Sequence, residues 1–340
     1  MPDDKPAGST LPPLMSDRAR ILSSPTQSAP IWSPRSPRWI LEFFRTQANV
    51  PVEGGAYQVN QVEDDDKNGL IQAKPLHLAS KTLNAVHSHP DNTLVQTSVG
   101  LYAQSPREIK LETVQSIVKI ANRVPALYSD NHDQLQAQLN VASEFICETV
   151  ENLVFNHSDH GLLQDKNIPE RMKFKADGAA SPDVLDELLA RAWRRPDIFV
   201  MHPETLTEFR KQANGKGLTL ETVDVFGSPF TAWRGLPIVP SNKLHLKASE
   251  GGTKNAGKAS KMSRVPAGTS TSILLLRLGE SKQGVVHLSA KGTETGPRLP
   301  SINVEFMGLS DEAVARYLLT TYSAVAVLSA GGLARADVTF

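Results

Sequence analysis

Few residues in this chain have the capacity for chemistry, and they are scattered. Histidine comes in two close pairs, His87-x-His89 and His157-Ser158-Asp159-His160. Imidazole and carboxylate ligate metals, but a zinc site needs three or four such groups held tetrahedrally. Each pair falls short, so a metal site, and a metal-dependent hydrolase built on His157 and His160, would need a contact that the spacing does not impose. His157, Asp159 and His160 read instead as the closing turn of a helix, where imidazolium complements the dipole. His202 belongs to a strand-to-helix turn, and His287 to the packed core of an apolar strand. No G-x-S-x-G elbow accompanies the serines. Asn214-Gly215-Lys216-Gly217 lacks the spacing of a phosphate loop and the Ser or Thr after its lysine. Cys147 adjoins Ile146 in the middle of a helix and reads as a buried, inert thiol. No catalytic residue, cofactor-binding residue or metal set follows, and the chain does not read as an enzyme.

The bulk numbers agree with a protein that acts without such a site. Lys plus Arg equals Asp plus Glu at 36 each, which argues against a dedicated nucleic-acid binder. One cysteine in 340 residues excludes an internal disulfide and fits a reducing cytoplasm. No secretory leader is visible at the start. The most apolar window, 313–333, is interrupted by Arg316, Thr320, Thr321 and Ser323, so no membrane insertion is expected there.

The elements that would position the residues above are legible from punctuation and period. Ile198-Phe199-Val200-Met201 is an apolar strand, broken by His202-Pro203, where Pro suits the first turn of a new helix. Glu204 and Glu208 sit in its first turns, and Leu206, Phe209 and Ala213 form one stripe. Asn214-Gly215-Lys216-Gly217 ends it. Trp233 to Pro240 reads as a turn into an edge strand bounded by prolines. Asp133–Phe155 is the clearest helix: Asp133 caps it, and Leu135, Leu139, Ala142, Ile146, Val150 and Leu153 recur at helical spacing, with Phe145 and Val154 widening the stripe. A second helix runs from Pro182 to Trp193, capped by Ser181.

Residues 1–37 are rich in Pro and Ser and cannot fold alone. They are a flexible tail or an arm that orders on a neighbouring subunit. Trp32, Trp39, Phe43 and Phe44 favour the arm, because exposed aromatic residues want a covering surface. Val50–Val59 is a strand with a Gly-Gly joint, Glu63-Asp64-Asp65-Asp66 a solvated turn, and 76–111 an extended hairpin stabilised by neighbours. After Leu246 comes a Gly-, Ser- and Lys-rich loop, 247–264. Strands follow at 272–279, 284–288 and 302–306. A short helix capped by Ser310-Asp311-Glu312 is expected through Leu319, then a last strand over 321–328.

From about residue 38 onward this element order resembles the tailed-phage major capsid proteins and their bacterial relatives, the encapsulins. The stretches HPETLTEFRK (202–211) and WRGLPIVPSNKL (233–244) carry the most specific likeness, with Val52-Glu53-Gly54 and Tyr322–Ser329 supporting it. The nearest resemblance is to the second encapsulin family, in the branch without a cyclic-nucleotide-binding insertion, for which this chain has no room. The resemblance implies an α+β tailed-phage capsid fold. Its parts would be an N-terminal arm (1–37), a peripheral-domain strand plus extended loop (38–112), a peripheral domain with a spine helix (113–196), an apical domain (197–295) and a return to the peripheral domain (296–340).

It also implies a self-assembling icosahedral shell in the cytoplasm that encloses a cargo enzyme, typically a PLP-dependent cysteine desulfurase of sulfur metabolism, and admits small molecules through pores. Lys254, Asn255, Lys258 and Lys261 would line the five-fold pore, unless their loop is a solvated insertion on the outer surface. Trp32, Trp39, Phe43 and Phe44 would make the arm contacts between subunits. A phage capsid enclosing DNA is the alternative on the same fold.

Overall fold

The structure is a computed structural model describing residues 26–29, 38–53, 55–59, 73–75, 98–100, 107–120, 134–176, 178–192, 195–248, 269–290, 302–309 and 314–340. Strand β1 (Thr26–Ala29), helix α1 (Trp39–Gln47) and strands β2 (Asn49–Val52) and β3 (Ala56–Val59) open it. Strands β4 (Ala73–Pro75), β5 (Ser98–Gly100), β6 (Arg107–Lys110) and β7 (Glu112–Ile120) lead to helix α2 (Gln134–Asn156). Next come β8 (Lys173–Lys175), α3 (Pro182–Arg191), β9 (Ile198–Met201), α4 (Pro203–Gly215), β10 (Glu221–Val225), β11 (Ser228–Trp233), β12 (Leu236–Pro240) and β13 (Lys247–Ala248). Strands β14 (Thr269–Leu276), β15 (Val285–Ala290), β16 (Ile302–Leu309), β17 (Ala315–Val327) and β18 (Leu333–Thr339) close the chain. No helix among the described residues is long and apolar enough to cross a membrane.

The chain forms two units, a smaller one within 1–37, 112–150 and 292–322 and a larger one within 38–111, 151–291 and 323–340. The larger unit is built on an eight-stranded sheet in the order β10-β11-β12-β9-β14-β18-β8, with β13 beside β14. Strand β9 sits inside it, parallel to β12 and antiparallel to β14. That position explains an unbroken apolar run, because both faces are covered, and all four of its residues are buried. Helix α4 starts where expected and buries Leu206, Phe209 and Ala213. Two hairpins turn on residue pairs with positive φ, Phe226-Gly227 and Arg234-Gly235, the geometry of type I′ turns.

Strand β12 is interior rather than an edge, which corrects the proline argument. Its pairing with β11 covers only Leu236 and Pro237, beside the turn, and its pairing with β9 begins at Ile238. Trp233 and Leu236 close the two-residue turn as a hydrogen-bonded pair, so the next pair, Ala232 and Pro237, is a non-hydrogen-bonded one, and β11 does not ask for the N–H that Pro237 lacks.

Also in the larger unit, β2 runs parallel to β15, and β15 antiparallel to the second half of β17. Val52, Val59 and Ile109 pack there with Val286, Leu288 and Ala326. The Gly-Gly joint separates β2 from β3. Strand β3 pairs with β6 and β4 with β5, all antiparallel, so β5 and β6 of the hairpin expected over 76–111 find their partners in β4 and β3, ahead of residue 76. Its residues 76–97 lie outside the described residues, as does the acidic run 63–66.

In the smaller unit β1 pairs with β16, and β16 with the first half of β17, alongside which β7 also runs. The helix expected through Leu319 is not there. Strand β17 already starts at Ala315, with Tyr317 opposite Phe306 and Leu319 opposite Val304. The alternation of buried Tyr317, Leu319 and Thr321 is a strand's period of two, and pairing with β16 outweighs the capping signal at 310–312. The expected strand 321–328 is the end of this longer strand, and the true last strand is β18. Helix α2 matches its expected span. Leu139, Ala142, Ile146, Cys147 and Val150 are buried, but Phe145 points outward, so it does not widen the buried stripe.

Candidate functional site

Helix α1 is where three of the expected arm contacts fall, and it corrects two of them, Phe43 and Phe44. Ile40, Phe43 and Phe44 recur at three and four residues and are buried within the larger unit. Trp39 meets Phe230 edge-on at 5.0 Å, and Phe43 meets Phe226 at 4.9 Å. Phe44 stacks on the His287 ring at 5.8 Å. Phe43 and Phe44 thus already have their covering surface in their own chain, while Trp39 remains half-buried. Trp32 lies outside the described residues, as do Lys254, Asn255, Lys258 and Lys261 of the basic loop.

The point at which the N-terminal segment joins this unit is fixed by charges that the sequence did not single out. Arg38 precedes α1 and donates from Nη1 to Glu151 Oε2 at 3.1 Å. Ser241 Oγ donates to the other oxygen of Glu151 at 2.7 Å. Asn156, one helical turn further, donates to the Lys243 carbonyl at 3.0 Å. The Glu151 carboxylate is buried, so its two partners offset a desolvation cost that would otherwise be several kcal/mol. A lone Glu on an apolar stripe was the available signal.

A second joint fixes the root of the hairpin. Arg107 of β6 donates to the Asp159 carbonyl at 2.8 Å and to Asn167 Oδ1 at 2.6 Å. Asn167 in turn donates to the Gly161 carbonyl at 2.8 Å. A Cβ at Gly161 would fall 2.6 Å from the His157 backbone, so only glycine fits this turn. The His157 and His160 rings stack at 3.8 Å. His157 Nδ1 accepts from the Asp159 and His160 N–H groups at 3.2 and 3.4 Å. Asp159 pairs with Lys166 at 2.7 Å, and this hydrogen bond holds its carboxyl below the usual range.

His287 is the nearest thing to a catalytic pair among the described residues. Its Nε2 lies 2.9 Å from Ser323 Oγ and its Nδ1 3.5 Å from Asn49 Oδ1. A nucleophile–base pair needs substrate access and a group that stabilises imidazolium. Here His287 and Ser323 are both buried, and the third member is a neutral amide that also accepts from Ser289 at 3.0 Å. Burial pushes the His287 pKa down to about 4. The arrangement cross-links β2, β15 and β17 and does no acid–base work.

His202 caps α4: its Nδ1 accepts from the Glu204 N–H at 3.2 Å, and burial holds its pKa below the usual range against the opposing pull of Glu204. Cys147 is buried, as expected. Asp186 of α3 accepts from Trp233 Nε1 at 2.7 Å and from Arg234 at 3.0 Å, and the Arg234 hydrogen bond holds its carboxyl low. Each cluster joins elements to one another, and their chemistry is structural.

Comparison with known proteins agrees with a building role. The capsid of a native GTA particle superposes with a TM-score of 0.55 over 92% of this chain and 94% of its own, at 11% identity, which shows a shared capsid fold alone. The cryoEM structure of the holo-SrpI encapsulin complex from Synechococcus elongatus PCC 7942 superposes with a TM-score of 0.66, covers 96% of each chain and is 32% identical. The fold is thus that of the subunits from which phage-type capsids and encapsulins are made.

The particular family is narrower. A family model for type 2A encapsulin shell proteins, SrpI-like, matches residues 74–338. The type 2A encapsulin shell protein SrpI of Synechococcus elongatus is 34% identical over 324 residues, spanning 94% of this chain and 91% of its own length. The type 2A encapsulin shell protein of Mycolicibacterium paratuberculosis is 35% identical over 319 residues, spanning 94% and 92%. The chain belongs to the SrpI-like type 2A encapsulin shell proteins. The role named for these relatives is structural rather than catalytic.

Proposed function

We propose that copies of this chain close into an icosahedral nanocompartment in the bacterial cytoplasm, and that the shell encloses a PLP-dependent cysteine desulfurase serving sulfur metabolism or storage. The observation that carries this reading is the nearly end-to-end correspondence with a subunit of a holo-encapsulin complex. The cargo assignment is supported by the resemblance to the branch without a cyclic-nucleotide-binding insertion. In this reading residues 1–37, Trp32 included, are an arm that orders on a neighbouring subunit beyond the pairing of β1 with β16 of its own chain. The loop bearing Lys254, Asn255, Lys258 and Lys261 lines the five-fold pore, where a ring of lysines would draw small anions inward and slow cations. A phage capsid enclosing DNA is the less supported alternative, since phage-type relatives share only the fold.

Negative-stain electron microscopy of protein purified from its native host, with mass spectrometry of what co-purifies, tests this. Uniform hollow spheres holding one abundant desulfurase are expected. Spheres holding a different enzyme would overturn the cargo, spheres full of DNA would favour the phage reading, and the absence of particles would remove the shell itself.

A further inference from the structure

Helix α4 ends in a closure over 213–218 that its own sequence weakens. The Leu218 N–H donates to the Ala213 carbonyl at 3.0 Å, and the Gly217 N–H to the Asn214 carbonyl at 3.0 Å. With Gly217 left-handed at a φ of +69°, these are the paired bonds of a Schellman motif. That motif asks for its glycine just past the helix, where Gly217 stands. Gly215 is a second glycine, inside the last turn, where it costs the helix stability. Leu218, which would supply the apolar lock of the motif, is 40% exposed. Asn214 directly precedes Gly215, and both are exposed. A Cβ built on Gly215 would meet nothing within 4 Å, so the space beside it is open.

We infer that Asn214 is a spontaneous modification site: its side-chain amide reacts with the backbone of Gly215 and is converted, with water as the sole co-reactant, to aspartate and isoaspartate. When the last turn frays, the Gly215 nitrogen leaves the helical ladder. It loses its proton and attacks Asn214 Cγ. An N–Cγ bond forms, the Cγ–Nδ2 bond breaks and ammonia leaves. Water then opens the cyclic imide: at Cγ it gives aspartate, and at the main-chain carbonyl it gives isoaspartate, whose backbone runs through Cγ. An ammonia is lost, a water is gained, and nothing is oxidised or reduced. Among the described residues Asn214 alone precedes a glycine; Asn152, Asn156 and Asn167 precede Leu153, His157 and Ile168, whose side chains obstruct the same attack. The chain's other Asn-Gly, 68–69, lies outside the described residues.

Either product sets a carboxylate at the carbonyl end of α4, where the helix dipole disfavours it. Isoaspartate also lengthens the backbone by a methylene and shifts the 214 carbonyl away from the Gly217 N–H. The closure then loosens beside Lys216, which ties α4 to Asp183 of α3. The inference concerns the subunit itself and does not depend on the shell reading.

The test ages the full chain at neutral and at mildly alkaline pH and follows the digested peptides by mass spectrometry. Conversion should appear at 214 ahead of Asn152, Asn156 and Asn167, and should quicken with pH, because the attacking nitrogen must first lose its proton. Gly215→Ala should slow it at least about fivefold, the factor that the Gly–Ala difference in helix propensity alone puts on opening of the last turn. Asn214→Asp carries the product's charge from the start. Its Gly217 and Leu218 amide hydrogens should exchange about two- to fivefold faster than in wild type, the factor that an opposed charge at a helix end supplies. Asn214 staying intact in the folded chain while the urea-unfolded chain converts there would overturn the inference. So would equal rates in wild type and Gly215→Ala, or earlier conversion at Asn152 or Asn156. Unchanged exchange in Asn214→Asp would overturn the loosening of the closure.

Discussion

Phe43 and Phe145 are both phenylalanines on helices with an apolar stripe, yet Phe43 is 2% exposed and Phe145 59%. The difference separates the two units. In the larger one, α1 brings Trp39, Phe43 and Phe44 onto Phe226, Phe230 and His287, and every aromatic ring of that group has a partner in its own chain. In the smaller one, α2 and the strands β7 and β16 leave apolar side chains standing out. The larger unit thus covers its aromatic rings within its own chain, with Phe226 still 39% exposed, whereas the smaller unit leaves Phe145 without such cover among the described residues.

The strongest way to test that separation is to empty the larger unit's core. Phe43→Ala removes a buried ring from between Phe226 and Phe230, and should cost about 3–5 kcal/mol. Denaturant unfolding of dissociated subunits measures it, and a loss below about 1 kcal/mol would mean that α1 is not a core element of the isolated subunit.

Acid should attack the same unit next most strongly. His287 has an ordinary pKa of 6.5 and is held at about 4 when folded. Above pH 6.5 both states are neutral there and stability is level. As pH falls from 6.5 to 4 the unfolded chain binds a proton that the folded one refuses, so stability declines with each step. Below 4 the penalty stays constant. The full difference amounts to about 3 kcal/mol. Wild type should lose this between pH 6.5 and 4, and His287→Gln should lack that part of the slope. Equal slopes in the two proteins would exclude His287 as the titrating group.

How much of this was legible before the structure depended on the range over which each signal acts. Strand β9, the His202-Pro203 break and α4 were read correctly because their signals are local: an apolar run, a first-turn proline and a left-handed terminator at Gly217, whose φ is +69°. Helix α2 was visible for the same reason. The arm contacts at Phe43 and Phe44 were misread because an aromatic run beside a Pro-rich tail looks exposed, although the spacing of Ile40, Phe43 and Phe44 already described a helix face. Strand β18 was not foreseen. Leu333, Ala334, Ala336 and Val338 are interleaved with Arg335 and Asp337, and only the pairing with β14, whose Leu276 lies opposite Leu333, makes a strand of them. The Glu151 joint is equally non-local, because Arg38 lies 113 residues from it.

That joint gives the next smaller effect and tests whether the boundary of the larger unit is held by charge as well as by rings. Arg38→Ala leaves the buried Glu151 carboxylate with Ser241 as its remaining partner of the two described here. The expected cost is about 2 kcal/mol, below the full value for breaking a buried pair, because Arg38 is partly exposed and the hydroxyl still donates. Arg38→Ala combined with Glu151→Gln should recover part of it, since the uncompensated charge is then gone. A double variant no more stable than Arg38→Ala would show that the pair acts through packing alone.

Phe145→Ser should do least to the subunit and is the sharpest contrast with Phe43→Ala. Its ring contributes little to the fold of a single chain, so unfolding of the dissociated subunit should move by no more than about 0.5 kcal/mol. Particle yield, measured by sedimentation, should fall all the same if the outward ring is covered by another copy in the shell, because the loss is then repeated at every copy of that contact. The two variants then exchange roles: the same residue type, removed from two helices of one chain, unfolds the subunit in one case and disperses intact subunits in the other. If Phe145→Ser destabilised the free subunit by as much as about 2 kcal/mol, the outward face of α2 would be part of the fold, and the division between a self-covered unit and an attaching one would not hold.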